Sequence, residues 1–245
     1  MERARLTPIR NATVKSHVAA SLREAIFSGR IGLGEPLREL HLARELGVSQ
    51  ASVREGLHEL EIGGLVVRTA NIGTRVTTLS SQEIRDRLAV RLPLEVIAAE
   101  SASLRMQEQD FDHLGELLGK LTDATRRNAY YESSQADLAV HRLIWNLSGN
   151  RVLVRTLDQI TTPLFAFISI LRRKGVHDLK HVVHSHDPIV AALRSGNRDE
   201  IEQVFRSHFE SSYDAFLNSG FEDCDSFTQS LKAKRASSAR KRSLP

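Results

Sequence analysis

The sequence predicts a mainly α protein in two parts: a small N-terminal unit of three helices and a β-hairpin, then an all-α bundle. Three observations carry this. Apolar residues recur at helical spacing along most of the 245 residues. Alternating β-branched residues are confined to LVVRT (65–69) and TRVTT (74–78). A hydrophobic content of 41% and a charged content of 26% fit a globular, helix-rich chain.

Each element has its own signal. Val14, Val18, Leu22 and Ile26 recur every four residues, which predicts a helix from Val14 to Phe27. Gly29, Gly32, Gly34 and Pro36 break it. A short helix follows from Glu39 to Leu46, with Leu42 and Leu46 on one face, and Gly47 ends it. Ser49 is a good N-cap for a third helix, whose buried stripe is Val53, Leu57 and Leu60. Gly63-Gly64 stops that helix, and the two β-branched runs around Asn71-Ile72-Gly73 make the hairpin. Ser80-x-x-Glu83 is a capping box that opens a long helix to about Leu104, with a kink expected at Pro93. Further helices are expected at 109–128, 133–147, 151–172, 178–195 and 197–217, the last capped by Asn197-x-x-Glu200. The boundaries expected are 1–79 for the first unit, 80–220 for the second and 221–245 for a basic tail without regular structure.

Charge is distributed unevenly. Residues 1–79 carry a net +3, residues 80–230 a net −5, and residues 231–245 a net +6. Polyanion contact is therefore expected at the ends and not in the acidic middle. The single cysteine, Cys224, cannot form an internal disulfide, which suits a reducing cytoplasm. The opening MERARLTPIR lacks the apolar core of a secretory signal. The longest apolar run, LFAFISIL (164–171), falls far short of the roughly 18 residues that span a bilayer, so no membrane partner is expected.

Three helices and a hairpin in under eighty residues make a winged helix-turn-helix. In this motif the second helix of the pair enters the major groove and its N-terminal residues reach base edges. Gln50, Ala51, Ser52 and Arg54 sit there, behind Ser49. A glutamine can bond bidentately to adenine, and an arginine to guanine or a phosphate. Arg38 precedes the motif, and the hairpin tip at Gly73, with Arg75 beside it, would lie along the backbone or minor groove. The alternative for Arg54 is a surface pair with Glu55 or Glu59. Double-stranded operator DNA is the partner expected.

VAASLREAIFSGRI, LRELHLARELGVSQASVREGLHELEIGGLV and GTRV resemble the DNA-binding domain of GntR-family bacterial transcription regulators. VRLPLE (90–95), DLAVHRLIWNLSGN (137–150), SHDPIVAAL (185–193) and RSHF (206–209) resemble the all-helical FCD effector domain of the FadR-type branch. The resemblance runs over about residues 13–217. Gln50 stands where that family's recognition helix more often carries an arginine.

The helical half also holds a candidate metal site. Asp137 and His141 are four apart and share a helical face. His186 lies on a stripe with Val182, Val183, Ile189 and Val190, and His208 on one with Ile201, Val204 and Phe205. Buried polar groups are costly unless satisfied, and one divalent ion would satisfy all four. One carboxylate and three imidazoles suit Zn2+, Ni2+ or Mn2+. The resemblance implies the same, since many FCD domains hold a metal on an Asp and three His. A single histidine on an apolar face can equally be a hydrogen-bonded core residue. His177, His181 and His184 are neighbouring substitutes, and Asp187-Pro188 could place His186 just outside a helix.

The resemblance further implies that Arg91 meets a small carboxylate effector; a salt bridge to Glu95 is the alternative. Asn150 is a second effector candidate, or a C-cap of the helix that carries the metal pair. Together these readings predict an effector-responsive, homodimeric transcription regulator, most often a repressor, rather than an enzyme. A metal-free ligand pocket, a metal-dependent hydrolase and an architectural DNA-binding protein are the alternatives.

Overall fold

The computed structural model describes residues 12–70, 72–173 and 185–218. The N-terminal unit holds α1 (Ala12–Phe27), β1 (Pro36–Leu37), α2 (Glu39–Leu46), α3 (Gln50–Ile62), β2 (Val66–Thr69) and β3 (Gly73–Val76). The helical half holds α4 (Ser81–Ser103), α5 (Glu108–Arg126), α6 (Tyr130–Leu147), α7 (Arg151–Arg173), α8 (Asp187–Ser195) and α9 (Arg198–Asn218). The fold is a winged helix-turn-helix joined to an all-helical bundle. No helix among the described residues is long and apolar enough to cross a membrane.

Local chemistry fixes the element starts. Ser49 Oγ accepts the Ser52 amide at 3.1 Å, which satisfies one free donor at the head of α3. Ser80 and Glu83 complete a reciprocal capping box at α4. Asn197 Oδ1 accepts the amides of Asp199 and Glu200 at the head of α9, while Glu200 turns to accept the Ser195 hydroxyl at 2.6 Å. In the helix-turn-helix, α1 crosses α3 so closely that a Cβ on Gly56 would lie 2.7 Å from Val18 Cγ1 and 3.2 Å from the Ala19 amide. Only hydrogen fits at that crossing. The buried face there is Val18, Leu22 and Ile26 against Val53, Leu57 and Leu60.

The sheet has order β1-β3-β2, antiparallel throughout, with Val66 opposite Val76 and Pro36 opposite Arg75. The hairpin matches the sequence expectation. The two-residue β1 was not expected, because its pairing with β3 leaves no periodic signal in so short a run. In the bundle, α4 packs on α6, α7 and α9, and α5 packs along α6.

The two units share one continuous hydrophobic core. Phe27, at the end of α1, meets Tyr131 edge-on with ring centroids 6.3 Å apart. The Ser169 hydroxyl on α7 donates to the Phe27 carbonyl at 2.9 Å. Gln159 Nε2 donates to the Ile62 carbonyl at 3.3 Å. Gly64 (φ +71°) turns the chain directly over Pro163, which lies inside α7. A proline there cannot donate to the preceding turn, and its ring becomes a contact surface instead.

The expected helix bounds hold at α4 and are corrected at α8. α4 runs from Ser81 to Ser103 with Pro93 inside it. The helix expected over 178–195 begins, within the described residues, at Asp187, because Pro188 stands in its first turn and fixes φ there. Residues 178–184, with His181 and His184, and the earlier His177, lie outside the described residues, as do Asn71 and the basic tail.

Candidate functional site

Three helices converge on one interior point. Asp137 and His141 come from α6, one turn apart, and His208 comes from α9. His186 occupies the N-cap position of α8, so it enters from a helix end rather than from a helical stripe. The exit of the chain at Asp187-Pro188 positions it. All four residues are buried. One ligand nitrogen from each of His141, His186 and His208 lies within 4.8 Å of the others. Asp137 Oδ1 stands 3.0 Å from His186 Nε2 and 3.7 Å from His141 Nε2.

The hydrogen-bond accounting at this point is incomplete. Asp137 Oδ1 and His186 Nε2 form a buried pair at 3.0 Å, and His208 Nδ1 is buried without a hydrogen-bond partner among the described residues. Buried polar atoms are almost always paired, and an unsatisfied imidazole nitrogen beside a buried carboxylate and two further imidazoles fits a cation. The donor set fits as well: one carboxylate oxygen and three imidazole nitrogens suit a borderline divalent ion.

Electrostatics agree. Burial alone would raise the Asp137 carboxyl, but the facing imidazoles of His186, His141 and His208 outweigh it and hold it well below the usual carboxylate range. Burial, with His186 and His141 nearby, pushes His208 well below the ordinary imidazole value. It is thereby kept neutral, the form that binds metals.

The partners behind His141 were not foreseen as part of the site. Glu95 Oε2 accepts from His141 Nδ1 at 2.8 Å. That bond fixes the tautomer with the lone pair on Nε2, the nitrogen turned toward Asp137. The other Glu95 oxygen accepts from Arg91 Nε at 2.6 Å. Burial raises the Glu95 carboxyl, but Arg91 and then His141 outweigh it and lower it to about 2. Glu95 was visible in sequence only as a possible partner of Arg91, four residues away. Its contact with His141, 46 positions on, has no local signal.

Arg91 is itself wholly enclosed. It donates to the Tyr213 hydroxyl at 2.6 Å, and its guanidinium carbon lies 4.4 Å from the Phe209 ring centre and 5.3 Å from that of Phe165. The structure thus gives Arg91 the salt bridge to Glu95. Asn150 is not the C-cap of α6; Ser148 is. The Asn150 side chain instead accepts the amides of Val152 and Leu153, both at 3.1 Å, at the exposed start of α7. Short side-chain amides satisfy free helix-start donors in this way. A cavity of about 630 Å³ opens between α8 and α9, walled by Pro188, Ala191, Ala192 and Val204, with Gln203 and Ser207 polar, and it reaches His208.

The second surface is the head of α3. Gln50, Ala51 and Arg54 are exposed there, and Ser52 is half-buried beside Ser49. Arg54 pairs with Glu39 of α2, Nη2 to Oε2 at 2.9 Å, and not with Glu55 or Glu59. Arg38 is exposed at the N-cap position of α2, without a side-chain capping bond. Gly73 is exposed at the hairpin tip, and Arg75 is half-buried and donates to the Gly34 carbonyl at 3.2 Å.

Comparisons with known proteins accord with both units. The family model described as bacterial regulatory proteins, gntR family, matches residues 14–76, and the FCD domain model matches residues 86–211. The chain is 28% identical over 193 residues to the HTH-type transcriptional regulator YdhC of Bacillus subtilis (strain 168), covering 77% of this chain and 84% of that one. It is 28% identical over 198 residues to a protein of Paenarthrobacter nicotinovorans named "Probable D-xylose utilization operon transcriptional repressor", covering 80% and 85%. Among solved structures, E. coli McbR/YncC superposes with a TM-score of 0.74 at 19% identity, covering 86% of this chain and all of the other; it shares the fold. The relatives are transcription regulators, not enzymes. A helix-turn-helix with its wing, fused to a helical bundle matched by these models, places the chain in the GntR family of DNA-binding bacterial transcription regulators, in the branch that carries an FCD domain.

Proposed function

We propose that the helical half binds a divalent metal on Asp137, His141, His186 and His208, and that a small organic acid bound beside it controls DNA binding by the winged unit. One observation carries the metal: a buried carboxylate and three buried imidazoles gather at one interior point, with one ligand nitrogen from each histidine within 4.8 Å of the others. Zn2+, Ni2+ and Mn2+ all accept this donor set. The ion would tie three helices together and offer the acid a Lewis-acidic contact.

The acid is supported by charge and space. The cavity that reaches His208 has the volume of a small-ligand site. Arg91 contributes positive potential, but its fork is already matched by Glu95, so the metal is the direct contact for a carboxylate. The DNA surface is Arg38, Ser49, Gln50, Ala51, Ser52, Arg54, Gly73 and Arg75. A homodimer follows from the half-site logic of helix-turn-helix operators. Repression is supported by the name of the Paenarthrobacter relative. The acid must bind one arrangement of the dimer better than the other, since equal affinity shifts nothing.

The test is elemental analysis of untagged, chelator-free protein beside an Asp137→Ala/His141→Ala variant. About one divalent ion per chain, lost in the variant, supports the site. No metal in either sample after reconstitution refutes it and leaves a metal-free pocket.

A further inference from the structure

We propose that Glu39 is a specificity-determining positioning residue: it aims Gln50 and Arg54 at base edges and withholds Arg54 from phosphate. The proposal rests on α3 entering the major groove.

Glu39 opens α2 and faces the head of α3. A single carboxylate oxygen, Oε2, accepts from Gln50 Nε2 at 3.0 Å and from Arg54 Nη2 at 2.9 Å. Arg54 Nε adds contacts of 3.3 Å to Oε1 and 3.2 Å to Oε2. Gln50 and Arg54 are one helical turn apart, so both project from one face of α3. Glu39 is less exposed than Arg54, with side-chain accessibilities of 22% and 57%. The acid forms the base of the cluster and the arginine its outer layer.

Two consequences follow from donor inventory. Glu39 takes the Nε–Nη2 edge of the guanidinium. The Nη1–Nη2 edge is left for the two-point contact that reads O6 and N7 of guanine. For Gln50, a bond from Nε2 to Glu39 fixes which way the carboxamide lies. Its oxygen and its second N–H then face outward, the acceptor-plus-donor pair that adenine N6 and N7 require. A carboxylate this close to Arg54 also offsets its charge and repels phosphate, so the arginine adds little to sequence-independent attraction. Neither the acidic residue nor its distance from α3 in sequence marks it as part of a DNA-reading surface; only the fold of α2 against α3 does.

The experiment uses the full chain and a duplex pool with a randomised core. Bound sequences are selected with wild type, Glu39→Gln, Glu39→Asp and Arg54→Ala, with thermal unfolding run beside each. Affinity for a fixed mixed-sequence duplex is measured across salt. Glu39→Gln is expected to lower the information content at the selected positions. It should also steepen the salt dependence by about one unit per chain, as one more cation engages phosphate. Glu39→Asp keeps the charge but loses reach, so sequence preference loosens while the salt slope stays. An unchanged preference and slope in Glu39→Gln, with Arg54→Ala altering both, overturns the role of Glu39 alone. No change in Arg54→Ala removes α3 from the groove and the proposal with it. A drop in melting temperature with unaltered preference makes the Glu39 cluster a tie between helices and nothing more.

Discussion

Glu95 and His141 meet across 2.8 Å in the interior of the bundle, and solvent reaches neither side chain. The same carboxylate holds Arg91 through its other oxygen. One acidic residue therefore serves two demands. It balances a buried guanidinium, and it fixes the imidazole whose far nitrogen faces Asp137. This links the charge balance of α4 to the ligand geometry of α6.

Replacing Glu95 by Gln should separate these demands. The neutral amide cannot balance Arg91, and it no longer polarises His141. Loss of such a supporting contact typically lowers metal affinity by about 10–100-fold. Titration of apo protein with zinc against a chromophoric chelator would measure this. Equal affinity in the two proteins would show that Glu95 serves Arg91 alone.

Acid should unfold the metal-free protein partly through the same residue. The Glu95 carboxyl is lowered in the folded state to about 2, below the ordinary glutamate value of about 4.3. The unfolded chain then binds more protons over that interval. The stabilisation is fully present above the unfolded value and is lost as pH falls through the folded one. Melting temperature should decline from about pH 5 downward, and the decline should be shallower in Glu95→Gln. Parallel curves for the two proteins would assign acid sensitivity to other carboxylates.

Much of this architecture was legible because its signals are local. Ser49, Ser80 and Gly47 mark helix ends by chemistry within three or four residues, and the stripes of α1 and α3 are periodic. Asp137 and His141 were paired by helical spacing alone. What escaped depends on tertiary contact. β1 is two residues long and exists only because β3 lies beside it. Glu39 reaches residues 11 and 15 positions away, and Tyr213 reaches Arg91 across 122. His186 was legible as a ligand-type residue, but its place at a helix end followed from Pro188. Asn150 sits between two helices, and a cap for the first could not be told from a cap for the second by spacing.

Gly64 should be intolerant of any side chain. Its φ of +71° is strained for alanine, and a Cβ would stand 2.9 Å from Pro163 Cγ and 3.3 Å from the Gln159 carbonyl. Proline at that place on α7 cannot yield as a flexible chain end would. Gly64→Ala is expected to cost about 2–4 kcal/mol in denaturant unfolding, from left-handed backbone strain plus overpacking. Gly63→Ala is the control: its φ is −76° and the nearest atom lies 3.6 Å away, so it should change little. Similar costs at both positions would mean that α7 and the α3–β2 turn separate readily.

Arg91 offers the sharpest division between a structural and an effector role. Its guanidinium is fully buried against Glu95, Tyr213 and two aromatic rings. Removing one member of a buried ion pair leaves the other charge uncompensated and typically costs about 3–5 kcal/mol. Arg91→Met alone should pay that cost, because Glu95 is stranded. Arg91→Met with Glu95→Gln removes both charges at similar volume and should recover most of it. Urea unfolding of the two variants measures the difference directly. If the double variant regains stability and still answers the same acid in a DNA-binding titration, the arginine is structural and the metal alone recruits the ligand. If stability returns while the response stays lost at a metal concentration that saturates the variant, the positive charge of Arg91 acts on the effector. If the double variant stays as unstable as the single one, the Glu95 charge is not what the arginine balances, and the Tyr213 and ring contacts carry its contribution.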